Sequence, residues 1–437
     1  MTANHAGDAR SDELKDRTVH LLEAIAPAPR PFDVRFWDGT LLAGCESGTA
    51  SATLVLREPG ALVRALEPPI DLSAGEAFVL GEIDVEGDLA VVFEAADALL
   101  DDARRAPLLR RLRTAGAVAG LRRRTRATDV SAKLRGRKHA PRRDASAVRY
   151  HYDLPVAFYR LWLDRRMTYS CGYFVRPDAT LDQAQEAKLE LVCRKLRLRS
   201  GHRLLDIGCG WGSLVQWAAE RYGAVATGVT LAENQVAEAR VRLAEAGLDD
   251  RTRVERRDYR DLDGTFDRIA SVGMSEHVGR AGLERYFRAA WDRLVPGGLM
   301  LNHAIDRGPT GVAPAPDTGG NTFIQRYVFP DGEIVDLAEV IRAAEAVGFE
   351  VRDVEDLREH YATTLRHWVR NLESAWEEAV RQVGDERARV WRLFMAGCAH
   401  QFDRGRLAVH QVLLGKPDVR GRVDVPPTRA DLHAVRS

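Results

Sequence analysis

Nine residues near the middle of the chain, Leu204-Leu205-Asp206-Ile207-Gly208-Cys209-Gly210-Trp211-Gly212, carry the clearest chemical signal. A strand-forming run passes into a glycine triplet and then into a helical pattern, so a ligand can approach bare backbone at the carboxyl end of a strand. A dinucleotide site would add an acidic residue about 20 positions further on to hold a ribose. That region reads Gly228-Val229-Thr230-Leu231, with Glu233 only later, which disfavours hydride transfer. Taken alone, Asp206 could merely cap the next helix, and Gln235 could stand on an exposed helix surface.

Such a turn needs a sheet to hold it. From about 184 to 307 the patterns alternate: a helix over 184–196, the strand HRLLDIG, a helix over 213–222, the strand ATGVTL, a helix over 233–247, the strands RVERRDY and FDRIASV, and LMLNHAI after a Pro-Gly-Gly turn. This predicts a doubly wound α/β sheet. Beyond 320, helices are expected over 334–347 and about 365–384, with no second glycine-rich turn and no internal repeat, so this tail should cover or extend the sheet. Ahead of the sheet, residues 1–12 read as disordered. Residues 13–103 read as a small α+β domain, with strands at Val34–Phe36 and Thr53–Leu56 and a helix near Ala90–Leu100. The expected division continues with a basic segment at 104–147, the large domain at 148–417 and a C-terminal tail at 418–437.

A chain of 437 residues with 45% apolar and 29% charged residues has material for two or three compact units. Its 64 basic and 64 acidic residues cancel, so net charge gives no reason to expect nucleic acid. The distribution is uneven, however. Between Arg104 and Arg143 fifteen basic residues face a single acid, Asp129, and Leu108, Leu109, Leu112, Ala115, Val118, Ala119 and Leu121 lie among the arginines. That segment reads either as an amphipathic helix resting on anionic lipid or as a solvated linker. The five cysteines, Cys45, Cys171, Cys193, Cys209 and Cys398, have no paired short spacing, so neither a disulfide framework nor a structural metal site is expected, and a reducing cytoplasm fits. The first residues, MTANHAGDARSDELKDR, lack a signal-peptide pattern, and no run approaches 18 apolar residues, so membrane contact should be peripheral.

The run Asp206-Ile-Gly-Cys-Gly-Trp-Gly, followed in order by GVTLAENQ and RDYRD, resembles the class I methyltransferases that bind S-adenosylmethionine. That likeness implies that Asp206, Gly208, Gly210, Trp211 and Gly212 pass beneath the methionine part. It also implies that Thr230, Leu231 and Gln235 reach the ribose, and that Asp258 and Tyr259 border the adenine. Further segments narrow the resemblance: HYDL at 151–154, LWLDRRMTYSCGYF at 161–174, SVGMSEHVG at 271–279, PGGLMLNHAI at 296–305, FIQRYVFPDG at 323–332 and LREHYATTLRHW at 357–368. Together they resemble the cyclopropane fatty acid synthase family, from about 148 to 414 and more loosely through FWDGT and LGEIDVEGD. The expected fold is then a seven-stranded methyltransferase sheet with helical additions and a small N-terminal mixed domain.

An alkene is a poor nucleophile, and its attack on a sulfonium methyl leaves a carbocation that must be stabilised and then lose a proton. The resemblance implies that a bicarbonate ion serves as the base, held by Cys171, Glu276, His303, Tyr361 and the backbone of Ile305, with Tyr169 and Ser170 touching the cofactor. Tyr361 and His303 could donate to an oxyanion, and Glu276 could accept the bicarbonate hydroxyl proton. Taken singly, a buried cysteine is usually core, a histidine at a strand end often satisfies a neighbour, and a tyrosine often packs. Pro155-Val156-Ala157 and Ser275 depart from the family pattern and bear on the acyl pocket. The expected substrate is an unsaturated phospholipid acyl chain at a membrane surface, converted to a cyclopropane. The alternatives are a methylene-branched product that calls for a partner reductase, and an inactive lipid-binding protein. A homodimer is compatible with the sequence.

Overall fold

The structure, a computed structural model, describes residues 2–45, 50–105, 130–132, 134, 136, 141–308 and 322–433. The core of the basic segment, 106–129, lies outside them, so the expected amphipathic helix falls outside the described residues. The chain forms two compact units, residues 1–131 with 315–328 and 384–400, and residues 132–314 with 329–383 and 401–437. No described helix is long and apolar enough to cross a membrane.

In the first unit, helix α1 (Thr2–Ile25) precedes strands β1 (Phe32–Arg35), β2 (Leu41–Leu42) and β3 (Ala52–Leu56), helix α2 (Ile70–Val79), strand β4 (Ile83–Gly87) and helix α3 (Leu89–Arg105). Residues 2–12, for which composition predicted no fixed structure, are helical. Ala3, Ala6, Ala9 and Arg10 favour a helix there, and the far end of α1 buries Leu21 and Leu22. The sheet runs β2-β1-β3-β4, with β1 and β3 parallel and the outer pairs antiparallel. A buried carboxylate, Asp84, is held by Arg57 and Arg389, each at 2.8 Å.

The second unit begins with α4 (Pro141–Tyr152) and α5 (Leu181–Lys195). Helices α6 (Ser213–Tyr222), α7 (Glu233–Glu245), α8 (Leu283–Arg293), α9 (Leu337–Val347) and α10 (Arg358–Ser374) follow, interleaved with strands β5 (Arg203–Ile207), β6 (Val225–Thr230), β7 (Thr252–Arg256), β8 (Phe266–Val272), β9 (Leu294–Arg307), β10 (Glu350–Asp356) and β11 (Leu407–Gly415). Their order is β10-β11-β9-β8-β5-β6-β7. Strands β5 to β9 pair in parallel, whereas β11 is antiparallel to both β9 and β10. This is the seven-stranded methyltransferase sheet, and its mixed edge comes from a tail that sequence patterns showed only as helices. Strand β10, EVRDVED, is an edge strand with a mostly exposed polar face, so it offered little apolar alternation to read. Helix α9 starts at 337 because Asp336 and Glu339 form a capping box. The long helix expected over 365–384 is α10 followed by a separate helix, Trp376–Val383.

Both faces of the central strands are covered, as parallel sheets require. Leu204, Ala270, Leu301 and Leu413 face one layer, while Leu205, Ile269, Met300 and Leu414 face the other. Apolar burial on two sides leaves the carboxyl ends of β5, β6, β8 and β9 as the place where polar chain can gather. One tight approach fixes the glycine turn against β6: a Cβ on Gly228 would meet Cys209 Cβ and Sγ at 2.8 Å and Val215 Cγ2 at 2.9 Å. Gly228→Ala should therefore destabilise the second unit by about 1–3 kcal/mol, the range for overpacking a tight core. A lowered urea midpoint would register this, and an unchanged midpoint would mean that the turn yields.

Candidate active site

The turn leaves β5 with Gly208, Gly210 and Gly212 at φ of 82°, 54° and 82°, a region that side chains rarely adopt. The Gly208 and Cys209 amides donate to Val229 O of β6 at 2.9 and 3.1 Å, pinning the loop to the neighbouring strand. A cavity opens above it, lined by Tyr169, Ser170, Asp206, Gly208, Gly210, Trp211, Thr230, Leu231, Gln235, Asp258 and Tyr259. Eleven of the twelve residues expected to contact the cofactor thus share one space. Gly212 is the exception, since its Cα faces Ala239 of α7, where a Cβ would come within 3.1 Å. Thr230 Oγ1 donates to Gln235 Oε1 at 2.7 Å, so these two arrive as a bonded pair. Asp258 is bound by Arg260; burial raises its pKa, but the Arg260 hydrogen bonds outweigh burial and hold it below the usual carboxylate range.

Several lining residues were missed in the sequence. Lys188 of α5 is only 2% exposed, and its Nζ donates to Ser170 Oγ at 2.9 Å, while Gln185 Nε2 donates to Ser170 O at 2.8 Å. A lysine within a helical pattern reads as solvent-facing. The available signal was position, because Lys188 lies four residues from both Ala184 and Val192 on the buried stripe of α5. Tyr152, the end of α4, lines the same cavity together with Asp144 and Val148.

The five residues expected around the base do not line that cavity, but their chain neighbours do: Ser170 before Cys171, Met274 and His277 around Glu276, and Val272 and Gly273 beside His303. A short chain of contacts joins them. Cys171 Sγ approaches Leu357 O at 3.7 Å, and Tyr361 N donates to the same carbonyl at 3.0 Å. Leu357 N donates to Val409 O at 2.8 Å, Val409 faces Ile305 across β11 and β9, and Ile305 N donates to Glu276 Oε1 at 2.8 Å. Of the Ile305 backbone, expected on the anion, the amide is therefore engaged by the Glu276 carboxylate, which it positions. Ser275, one of the departures from the family pattern, is buried in the same short turn as Glu276. Pro155 begins the short helix Val156–Arg160.

Three of these groups carry no net charge easily. Burial pushes the Cys171 thiol far up, so it remains a thiol. Burial pushes Glu276 up to about 7 against the lowering effect of the Ile305 amide. Burial, with Lys188 and Lys195 nearby, pushes His303 down to about 3. Gln411 Nε2 lies 3.1 Å from His303 Nδ1; with the amide nitrogen donating, the imidazole proton stands on Nε2. His303 Nε2 and Glu276 Oε2 are both buried and have no hydrogen-bond partner among the described residues. Native proteins seldom leave such atoms unpaired, and a donor beside an oxygen able to accept or donate suits a small oxyanion carrying one proton.

A seven-stranded sheet with an antiparallel β11, and a cavity over a glycine turn at its carboxyl edge, define a class I methyltransferase that binds S-adenosylmethionine. The mycolic acid cyclopropane synthetase family matches residues 139–412, and the chain belongs to this family of S-adenosylmethionine-dependent fatty acid methyltransferases and cyclopropane synthases. It is 40% identical over 427 residues to a probable fatty acid methyltransferase of Pseudomonas putida, across 95% of this chain and 99% of that protein. It is 35% identical over 266 residues to the cyclopropane-fatty-acyl-phospholipid synthase of Escherichia coli, covering 61% of this chain and 66% of that one. Among solved structures, the mycolic acid cyclopropane synthase CmaA1 complexed with SAH and CTAB aligns with a TM-score of 0.59 at 35% identity, over 62% of this chain and 97% of that one.

The depressed His303 has a consequence for stability. As acid is added, the unfolded chain takes up this proton near the ordinary 6.5, while the folded chain resists until about 3. Stability present above about 6.5 is therefore lost progressively on the way down. Between about pH 6 and pH 4 the unfolding free energy of the wild type should fall more steeply than that of His303→Gln, by up to about 1.4 kcal/mol per pH unit. Urea titrations at each pH measure this, and parallel slopes would mean a solvated imidazole.

Proposed function

We propose that this protein transfers a one-carbon unit from S-adenosylmethionine to the cis double bond of an unsaturated phospholipid acyl chain at a membrane surface, and closes it to a cyclopropane ring. The observation that carries this reading is the pair of buried, unpartnered atoms Glu276 Oε2 and His303 Nε2 beside the cofactor cavity. The cofactor, when bound, supplies an electrophilic methyl group. After methyl transfer the acyl chain is a carbocation, and ring closure requires loss of a proton from the new methyl group. Cys171, Glu276, His303 and Tyr361 would hold bicarbonate, which would supply a base there. His303 presents Nε2–H to an oxyanion, and Glu276, held by the Ile305 amide, meets the hydroxyl side. Tyr169 stands between Trp162 and Trp368, with ring centroids 5.3 and 5.2 Å away. Of these three rings only Tyr169 lines the cavity, so its face is the one available to a carbocation, and the two buried indoles hold it in place.

A second reading has its own support. The relative that matches along nearly the whole chain is named a probable fatty acid methyltransferase, which favours C-methylation to a methylene-branched chain for a separate reductase. Both outcomes pass through the same cation and differ in the proton lost. Incubation with unsaturated phospholipid vesicles and methyl-deuterated cofactor, followed by mild hydrogenation and mass spectrometry, separates them: a cyclopropane resists hydrogen uptake and a methylene branch does not. Glu276→Gln should retain S-adenosylhomocysteine binding and lower turnover by at least about a hundredfold, the scale of a lost acid–base or electrostatic group. Near-normal turnover would sink the base site.

The fifteen basic residues between Arg104 and Arg143 supply the attraction to an anionic bilayer in this reading. Neutralising several arginines of 104–126 should weaken cosedimentation with anionic vesicles by about 1 kcal/mol per charge, most visibly at low salt. Salt-independent, unchanged sedimentation would reduce the segment to a linker.

A further inference from the structure

The cofactor cavity holds two buried opposite charges that do not pair with each other. Lys188 and Asp206 are 2% and 3% exposed, and both line the cavity at its glycine-turn side. Among the described residues, Lys188 forms no ion pair, and its one hydrogen bond, to Ser170 Oγ at 2.9 Å, uses one of three ammonium donors. The Asp206 carboxylate accepts no hydrogen bond from the described residues. The two sense each other only at a distance: burial pushes Asp206 up to about 7, opposed by Lys188, and pushes Lys188 down to about 8, opposed first by Asp164, which already accepts the Thr168 and Arg166 amides, and less by Asp206. Two other cations of the lining are engaged elsewhere, since Arg260 binds Asp258 and Arg257 binds Asp263.

A separated, water-stripped cation and anion are costly unless a ligand brings the complementary pair. The amino-acid end of the cofactor is such a ligand, an ammonium and a carboxylate on one carbon. We propose that Lys188 is a cofactor-binding residue that takes the α-carboxylate of S-adenosylmethionine while Asp206 takes its α-ammonium, so that the pocket recognises the zwitterion. Ser170 holds the lysine in place, and Gln185, one position along the same face of α5, fixes the Ser170 carbonyl. The segment carrying Tyr169, Ser170 and Cys171 is thereby tied to the residue that reads the cofactor. The same ammonium also depresses His303, so a second small anion, bicarbonate, is the competing occupant. Lys188 lines the cofactor cavity and His303 does not, which favours the cofactor carboxylate.

This inference rests on the S-adenosylmethionine reading, and the test separates the two. Calorimetric titration of the full chain with S-adenosylhomocysteine and with its decarboxylated analogue, in buffer with and without bicarbonate, reads the discrimination directly. The wild type should prefer the carboxylate-bearing ligand by at least about tenfold, and Lys188→Met should lose most of that preference while binding the decarboxylated analogue as before. Lys188→Gln, which keeps a donor without the charge, should behave like Lys188→Met, and the ligand-free unfolding midpoints of all three report folding. A wild type that does not discriminate overturns the proposal even where both variants fail to fold. Equal loss for both ligands overturns it as a structural effect, and a loss seen only with bicarbonate reassigns the lysine to the base. Failure of the wild type to bind S-adenosylhomocysteine would sink the cofactor reading itself.

Discussion

The carboxyl edge of the sheet is a place where ionisable groups have been taken out of water with few partners of their own, and the rest of the second unit follows from that constraint. Asp206, His303, Cys171 and Lys188 are buried, as is the Glu276 Oε2 atom. Each is pushed toward its neutral form by burial. An unpaired buried polar atom costs about 1–3 kcal/mol. That cost is borne by the two apolar layers around Leu204, Leu205, Leu301 and Met300. A site built this way needs no reorganisation when an ion or zwitterion arrives, because the dipoles already point where charge will stand.

The antiparallel strand β11 shapes this particular edge through the residues it carries. Lying between β9 and β10, it places Gln411 opposite His303 and so sets the imidazole tautomer. It also presents Val409 O to Leu357, whose own carbonyl meets Cys171 and Tyr361. A single backbone hub thus gathers residues from 171, 357–361 and 409. Thr364 adds a second stitch by accepting the Gly172 amide at 3.0 Å. Segment 169–172 is therefore held from two directions, by α5 on the cofactor side and by α10 on the base side.

Much of this was legible in the sequence because its signals are local. The glycine turn, the strand and helix periods from 184 to 307 and the family segments place β5 to β9 and eleven of the lining residues. What escaped depends on distant partners. Strand β10 is a polar edge with little alternation, and β11 acquires meaning only by inserting beside β9. Lys188 looks like any helical lysine until the burial of α5 is known. The Ile305 amide could be assigned to an anion from motif order, but that its donor goes to Glu276 is a matter of strand-end geometry.

The two halves of the edge rest on different elements, and this separates their chemistry. The cofactor half is built on β5, β6 and the start of α5, where the contacts recognise a ligand present before and after the reaction. The other half is built on β8, β9, β11 and the beginning of α10, around a neutral imidazole, a thiol and one carboxyl group near its titration point. Contacts to the cofactor act on substrate and transition state alike, whereas in the proposed reading the second set acts on charge that develops during the reaction. Segment 169–172 and Lys188 touch both halves, the lysine by a hydrogen bond on one side and by its field on His303 on the other. Burial is the larger cause of the depressed His303 and Lys188 adds to it, so in the proposed reading a ligand carboxylate at Lys188 would relieve only part of that depression.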